Sequence, residues 1–347
     1  MKRKFAILLK VLLSAALCAP ALAAEDFRSA QSIDNFYAGM AAFKAANGLT
    51  GYINLQGETV IEPVWDGGDY FCEGRARVKL GDCYGYIDES GNVITPANWE
   101  RAGTYSGGYA SVSNGTHSAL IDLDGNLVLE PEWNMLGSYS EGLISFCSTD
   151  ASGDNAYGYI NLDGEVVLAP QWERANAFRN GIAVVKKDGM YGCIDAAGNE
   201  VIPFIYDDIS PFNEGLACVE QNDLSGYIDE AGNPVIPCKY DSASTFQKDR
   251  AWVKQDGAYH LIDSRDNTVG TSTWSNVYID FGGSDFSRVF QGDKIGYVNL
   301  DGEIALRPVY DKATRFCDGV ACVLWNGTWY LIDERGVDLR NGTNTQA

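Results

Sequence analysis

The chain has 347 residues, 46% of them hydrophobic in type, and sets 26 basic against 47 acidic side chains for a formal net charge of −21. A field of that sign repels phosphate backbones and anionic lipid surfaces, which argues against nucleic-acid binding and against peripheral attachment to membranes. The nearer meaning of the acidity is solubility outside the cell.

Residues 1–23 read as a secretory signal peptide. Lys2, Arg3 and Lys4 form a basic start, an apolar run follows to Leu17, and Ala21-Leu22-Ala23 offers small residues for cleavage after Ala23. The run is too short for a stable membrane span, so no span is expected in the mature chain. Loss of this segment removes Lys2, Arg3, Lys4 and Lys10 and no acid, taking the formal charge from −21 to −25. Residues 24–35 are then a lead-in, and 337–347 a polar tail.

Between them one unit recurs. An apolar residue followed by Asp or Asn stands at Ile53, Ile87, Ile121, Ile160, Ile194, Ile228, Ile262, Val298 and Ile332, stepping by 34 residues except for one step of 39 and one of 36. A second marker, the aromatic at Trp65, Trp99, Trp133, Trp172, Tyr206, Tyr240, Trp274 and Tyr310, drifts in the same way. Two series moving together mean that the whole unit repeats, the signature of propellers, solenoids and arrays. Its fullest copies contain Tyr84-Gly-Tyr-Ile-Asp88, Tyr157-Gly-Tyr-Ile-Asn161 and Gly226-Tyr-Ile-Asp229. The unit resembles the WG-repeat (also KWG) family of exported bacterial proteins over about residues 36–336. That resemblance implies an architecture and an interaction role without naming an activity.

Within a unit, Ile-Asp-x-x-Gly-Asn-x-Val-Ile places a glycine turn between two apolar strands, a hairpin signal. Proline after Val-Ile is expected to end its strand, because it cannot donate to a ladder. Ala-x-Val segments such as Gly181-Ile-Ala-Val-Val185 read as another strand. The fold class is therefore all-β, tandem antiparallel hairpin repeats of about 34 residues, as a β-propeller of eight or nine blades ahead of an open linear array. The array starts and stops partway through a unit, and the final Val-Ile-x-Pro strand has no evident donor.

The eight cysteines that remain after cleavage (Cys72, Cys83, Cys147, Cys193, Cys218, Cys238, Cys317 and Cys322) occupy ordinary repeat positions, which favours buried thiols over a disulfide framework. No Cys-x-x-Cys or Cys/His cluster suggests a metal, and no cofactor is expected. His117 and His260 sit at different offsets within their units and form no nucleophile–base pattern, so no catalytic residue is assigned. The acids that follow the marker aromatic (Asp66, Glu100, Glu173, Asp207, Asp241 and Asp311) recur too regularly for catalysis and read as turn or strand-end hydrogen-bonding groups. The Asp-Leu-Asp-Gly stretch at 122–125 and its Asn-Leu-Asp-Gly counterparts at 161–164 and 299–302 lack the later ligands of a calcium loop. The marker tryptophans read as rings that pack one unit on the next.

Departures from the repeat are where a binding face is sought. One is the insertion 148–156. The other is the seventh unit, which lacks its turn glycine at Asp266 and its proline near Thr271 and carries Trp274, Tyr278, Phe281, Phe286 and Phe290, the candidate binding residues. The expected function is an exported, non-enzymatic module that binds a protein or a cell-envelope glycan. The alternatives are a carbohydrate-active enzyme using Asp280 or Asp285, and a structural spacer at the cell surface.

Overall fold

The computed structural model describes residues 27–149, 153–278 and 284–347. The expected signal peptide at 1–23, Asp280, Phe281 and the centre of the 148–156 insertion lie outside them. Nine small antiparallel sheets follow one another along the chain, at 32–65, 67–99, 101–133, 135–172, 174–206, 208–240, 242–274, 286–310 and 312–333, here blades 1 to 9. Each is a meander whose strands pair in chain order. Its first strand is short, two residues in most blades, and in blade 8 it is reduced to the bridge between Val277 and Val289. A single cavity is lined by residues beside the first strands of blades 8, 9, 1 and 2. Four sheets can meet in this way only if their first strands converge on one axis.

Alternation along the longer strands puts apolar side chains on both faces of each sheet, and the cores form between sheets. Trp65 of blade 1 is buried with Ala76, Val78 and Ile87 of blade 2. Val184, Cys193 and Ile202 of blade 5 meet Ile209, Ala217 and Val219 of blade 6. The ring closes by the same means: Ile33, Phe36 and Phe43 of blade 1, with Phe27 before them, bury themselves against Val320, Cys322, Trp329 and Leu331 of blade 9. Hydrogen bonds cross this seam from Trp329 Nε1 to the Ala30 carbonyl (3.0 Å) and from the Arg315 amide to Asn35 Oδ1 (2.8 Å). The protein is a closed nine-bladed propeller, and the open array is excluded.

Two expectations change. Proline does not end its strand: Pro63 lies inside Thr59–Trp65, and its equivalents lie inside the fourth strands of blades 2 to 6 and 8. The register explains why. Thr50 pairs with Trp65 and Tyr52 with Ile61, so two steps on the third strand span four on the fourth, and proline occupies the resulting bulge on the outermost strand, where its missing N–H costs no ladder bond. The second change concerns the ends. Blade 1 carries its own first strand, Ser32–Ile33, so the array begins at a blade boundary. Blade 9 lacks a regular fourth strand, and 337–347 takes its place. The Leu339 amide donates to the Leu331 carbonyl (2.8 Å), and the Tyr310 and Thr345 hydroxyls meet at 2.7 Å. Arg28 reaches the buried Asp338 carboxylate at 3.0 Å and ties this segment to the N-terminal turn.

The bulge also accounts for the glycine of Tyr-Gly-Tyr. A Cβ at Gly226 would lie 2.6 Å from the Cys238 amide nitrogen and from the Ile236 carbonyl oxygen, both backbone atoms of the bulged strand. The turn between third and fourth strands is held by its leading Asp or Asn. Asp195 Oδ1 accepts from the Ala197 and Asn199 amides (2.9 and 2.8 Å) and Oδ2 from the Asn199 side chain (2.9 Å). All eight cysteines among the described residues are free thiols, and burial pushes Cys193 and Cys218 up to about 12, so both stay protonated at neutral pH.

Gly226→Ala is expected to keep the β-type circular dichroism spectrum and to lose about 1–3 kcal/mol of unfolding free energy in urea, the usual cost of forcing extra volume into a filled site. The carboxyls of Asp195, Asp229 and Asp263 are held below the usual range, first by the side-chain amides of Asn199, Asn233 and Asn267 and further by backbone amides. A folded pKa below the unfolded value of about 3.9 stabilises the fold above that value and is lost as the pH falls through the folded pKa. The urea midpoint should therefore hold steady from neutral pH down to mild acidity and drop below about pH 4. Replacing these three by Asn, the residue already used at Asn54, Asn161 and Asn299, should preserve folding and make the acid drop shallower.

Candidate functional site

Most conserved-looking chemistry of the unit serves the ring. The tyrosine after the glycine reaches into the following blade: Tyr52, Tyr159, Tyr227 and Tyr297 donate to the carbonyls of Asp69, Asn176, Ser244 and Thr314 at 2.9, 2.7, 2.7 and 2.6 Å. Blade 7 has Leu261 at this position. There Trp252 Nε1 donates to Ser287 Oγ (2.9 Å), which donates to the Tyr278 carbonyl (2.7 Å). Of the acids after the marker aromatic, Asp66, Glu173 and Asp207 bind the hairpin amides of Gly81, Gly189 and Asn222, and Asp311 pairs with Lys294. A second set of acids is invisible to period counting. Glu73, Glu141 and Glu214 each grip two successive amides in the next blade's first hairpin turn, at Gly107–Gly108, Asn180–Gly181 and Lys248–Asp249, at 2.7–2.9 Å. Their positive-φ turns identify these as tight two-residue hairpins.

What does not repeat lies at the axis. The residue following the first strand donates its amide to the middle of the second strand, and in chain order this position holds Asp34, Asp69, Gly103, Asn176, Ser210, Ser244, Tyr278 and Thr314, with Gly137 in blade 4. Carboxylates or a large ring occur only in blades 8, 1 and 2, within two blades of the closing seam. These residues line a cavity of about 410 Å³ together with Asn35 and Tyr70. Tyr70 and Tyr278, 41% and 44% exposed, are the only exposed Phe, Tyr or Trp side chains among the described residues. Tyr70 stacks on Tyr37 at 4.3 Å, and the Arg315 guanidinium stands over Tyr37 at 3.9 Å. Arg288 lies 4.1 Å over Tyr278 and donates to the Ala313 carbonyl. Asp69 is paired with Arg77. The Asp34 carboxylate, open to the channel but flanked by protein, is raised above its ordinary value by partial withdrawal from water and then by Asp69.

The four described aromatic candidates do not form one patch. Trp274 is 8% exposed and sits in the core between blades 7 and 8 with Trp252, Leu261, Val289 and Val298. Its ring fills a packing position, as marker aromatics do elsewhere. Phe286 leans on Phe316 of blade 9 at 5.1 Å, and Phe290 meets Tyr278 at 5.0 Å. Only Tyr278 faces the channel. Asp285 is a surface acid paired with Lys248 at 2.5 Å. His117 is exposed in a hairpin of blade 3, and His260 lies on the third strand of blade 7. Among the described residues no group of three or more His, Cys, Asp or Glu side chains is placed to hold a metal, and no helix is long and apolar enough to cross a membrane. Sequence reasoning missed Asp34, Asp69 and Tyr70. The available signal was a position two before the recurrent Phe or Tyr (Phe36, Phe71, Tyr105) that changes from acid to glycine.

The WG-containing repeat matches residues 51–82, 84–115, 120–148, 157–191, 191–224, 226–259 and 295–329, well over half of the chain. The chain belongs to the WG-containing repeat family. The matched stretches of this WG-repeat protein pass over 260–294, the divergent seventh unit and the start of blade 8. Comparison with curated proteins finds no match. Among solved structures the chain is similar to Sqt1 of Saccharomyces cerevisiae, with 10% identity and a TM-score of 0.43 over 80% of this chain and 95% of that one. It is also similar to the WD40 domain of SCAP from fission yeast, with 8% identity and a TM-score of 0.38 over 89% and 96% of the two chains. A third is PorZ, a surface component of the type-IX secretion system of Porphyromonas gingivalis, with 11% identity and a TM-score of 0.33 over 90% and 52%, so the chain spans about half of PorZ. The fold assignment rests on the nine sheets and their closure.

The missing turn glycine of the seventh unit has a local explanation. Asp266 adopts φ 68°, a region Asp tolerates better than most residues, and its carboxylate binds Lys239 Nζ and the Tyr240 hydroxyl of blade 6. Asp266→Ala should lose about 1–2 kcal/mol in urea unfolding, because it keeps a side chain at positive φ and removes those bonds. Asp266→Gly should lose less, the difference measuring the backbone cost.

Proposed function

We propose that this WG-repeat protein is an exported, non-enzymatic binding module that takes a protein or cell-envelope glycan ligand at the channel mouth beside its closing seam. The observation that carries the reading is the asymmetry at the axis. Eight of the nine blades have their own outer strand and similar interblade chemistry recurs between them, yet acids and exposed tyrosines gather in blades 8, 1 and 2, on either side of blade 9. Packing repeats need identical groups at identical positions, whereas a ligand needs a few unlike groups converging on one space. Export is supported by the composition of residues 1–23 and by a charge that suits an exposed, soluble surface.

The test is a glycan-array and secretome capture screen run with the purified protein beside the double variant Asp34→Asn/Tyr278→Ala. A ligand retained by the parent and lost by the folded double variant is the expected result. A ligand equally retained by that variant but lost on changing the exposed outer-strand pair Val166 and Val167 to Ser would place recognition on the rim and overturn the channel assignment.

A further inference from the structure

We infer that the seam-side cavity receives the neutral pyranose end of a glycan, with Tyr70 and Tyr278 as stacking walls and Asp34 and Asn35 as partners for sugar hydroxyls. The inference rests on the binding-module reading and deepens it by choosing the ligand class.

Three observations lead there. The first is size and lining. At about 410 Å³ the cavity falls near the lower end of the ~300–1,000 Å³ typical of small-ligand sites, and its walls combine aromatic surface with a few convergent polar groups. The second is where exposed rings occur. No other Phe, Tyr or Trp ring among the described residues is as exposed as Tyr70 and Tyr278, and these two line one cavity, one from blade 2 and one from blade 8. An exposed ring offers a flat, polarisable face with a hydroxyl at its edge, which suits the C–H face of a pyranose as well as its polar rim.

The third is charge, which decides between guests. A cationic guest would need open ring faces beside a pair of unopposed carboxylates, and of the two carboxylates only Asp34 is unpaired. Arg288 already covers one face of Tyr278, Arg315 covers Tyr37, the ring against which Tyr70 stacks, and Arg77 holds Asp69. An anionic guest would meet Asp34, Asp69 and the −21 field of the whole chain. With acids and guanidinium groups interleaved at close range, what the cavity retains is hydrogen-bonding capacity of both signs beside apolar rings. The Asp34 carboxylate makes no hydrogen bond or ion pair to any described residue and faces the channel, so two acceptor oxygens are available to hydroxyl donors. An uncharged polyol with one apolar face meets all of these conditions.

The experiment is saturation-transfer NMR and titration calorimetry of the full protein with glucose, galactose, mannose, N-acetylglucosamine and N-acetylgalactosamine and their short oligomers, with trilysine and triglutamate as charged comparators. The expected result is saturation transfer to ring protons of at least one neutral sugar. Affinity should weaken about tenfold or more in Tyr70→Ala and in Tyr278→Ala, weaken in Asp34→Asn, and be retained in Tyr70→Phe, which keeps the stacking face. Unfolding midpoints of the variants, followed in parallel, show that the ring is intact. No transfer to any neutral sugar, or a sugar affinity indifferent to Tyr70→Ala and Tyr278→Ala, overturns the inference. If a comparator peptide binds and is lost in the channel variants while no sugar binds, the ligand class is wrong and the channel-mouth reading stands; a ligand indifferent to every channel variant overturns both.

Discussion

The interaction on which the structure depends is the reach of one blade's side chains to the backbone of the next blade at the axis. A first strand of two residues makes too few ladder bonds to hold itself, and its carbonyls lie where neighbouring sheets crowd together. The tyrosine hydroxyls meet this need from the third strand, and from the second strand Arg77, Cys218 and Arg288 direct their ends to the carbonyls of Ala102, Ala243 and Ala313. Where tyrosine is replaced in blade 7, Trp252 and Ser287 relay the same bond. Each net hydrogen bond is worth only about 1 kcal/mol, but an unsatisfied buried carbonyl costs at least as much, so these bonds recur at most seams of the ring.

From this constraint follows the arrangement of everything farther out. Once the inner strands are pinned, the Ala-x-Val alternation places small residues where sheets approach and larger ones where they diverge, and the marker aromatic fills the wider outer gap, as Trp65, Trp172, Tyr206 and Tyr310 do. The bulged outer strand carries proline and rests on the glycine of the third strand. Paired amides gripped by Glu73, Glu141 and Glu214 add a further tie between neighbours, from blades 2, 4 and 6 to blades 3, 5 and 7. Closure spends no shared sheet: blade 1 and blade 9 keep their own strands, and the seam is held by a hydrophobic cluster, a few cross-seam hydrogen bonds and the Arg28–Asp338 pair.

Repetition of this kind separates structural from functional chemistry. Residues that recur in phase, such as the turn Asp and Asn side chains and the acids after the marker aromatic, have partners within the backbone of the ring. Those that break phase divide into two groups. Asp266 departs from glycine and is answered by Lys239 and Tyr240. Asp34, Tyr70 and Tyr278 face one cavity, and the acid and the two rings are exposed there. The seventh unit drew attention because of its aromatic residues, but two of them, Trp274 and Phe286, were absorbed into packing.

By itself the sequence determined what local chemistry governs: the period, the antiparallel hairpins, the Asp-x-x-Gly-Asn turn, the all-β class, the thiol character of the cysteines and the packing role of most marker aromatics. These depend on residues within a few places of each other, so spacing alone expresses them. Only the tertiary structure decided the closed ring of nine, the survival of the fourth strand through its proline, the docking of 337–347 and the composition of the channel. Closure joins side chains some 280–310 positions apart, and the channel gathers one residue from each of several blades. Neither leaves a periodic trace, because a residue's distance from the axis is set by how neighbouring sheets stack, which is a property of the ring and of no single repeat.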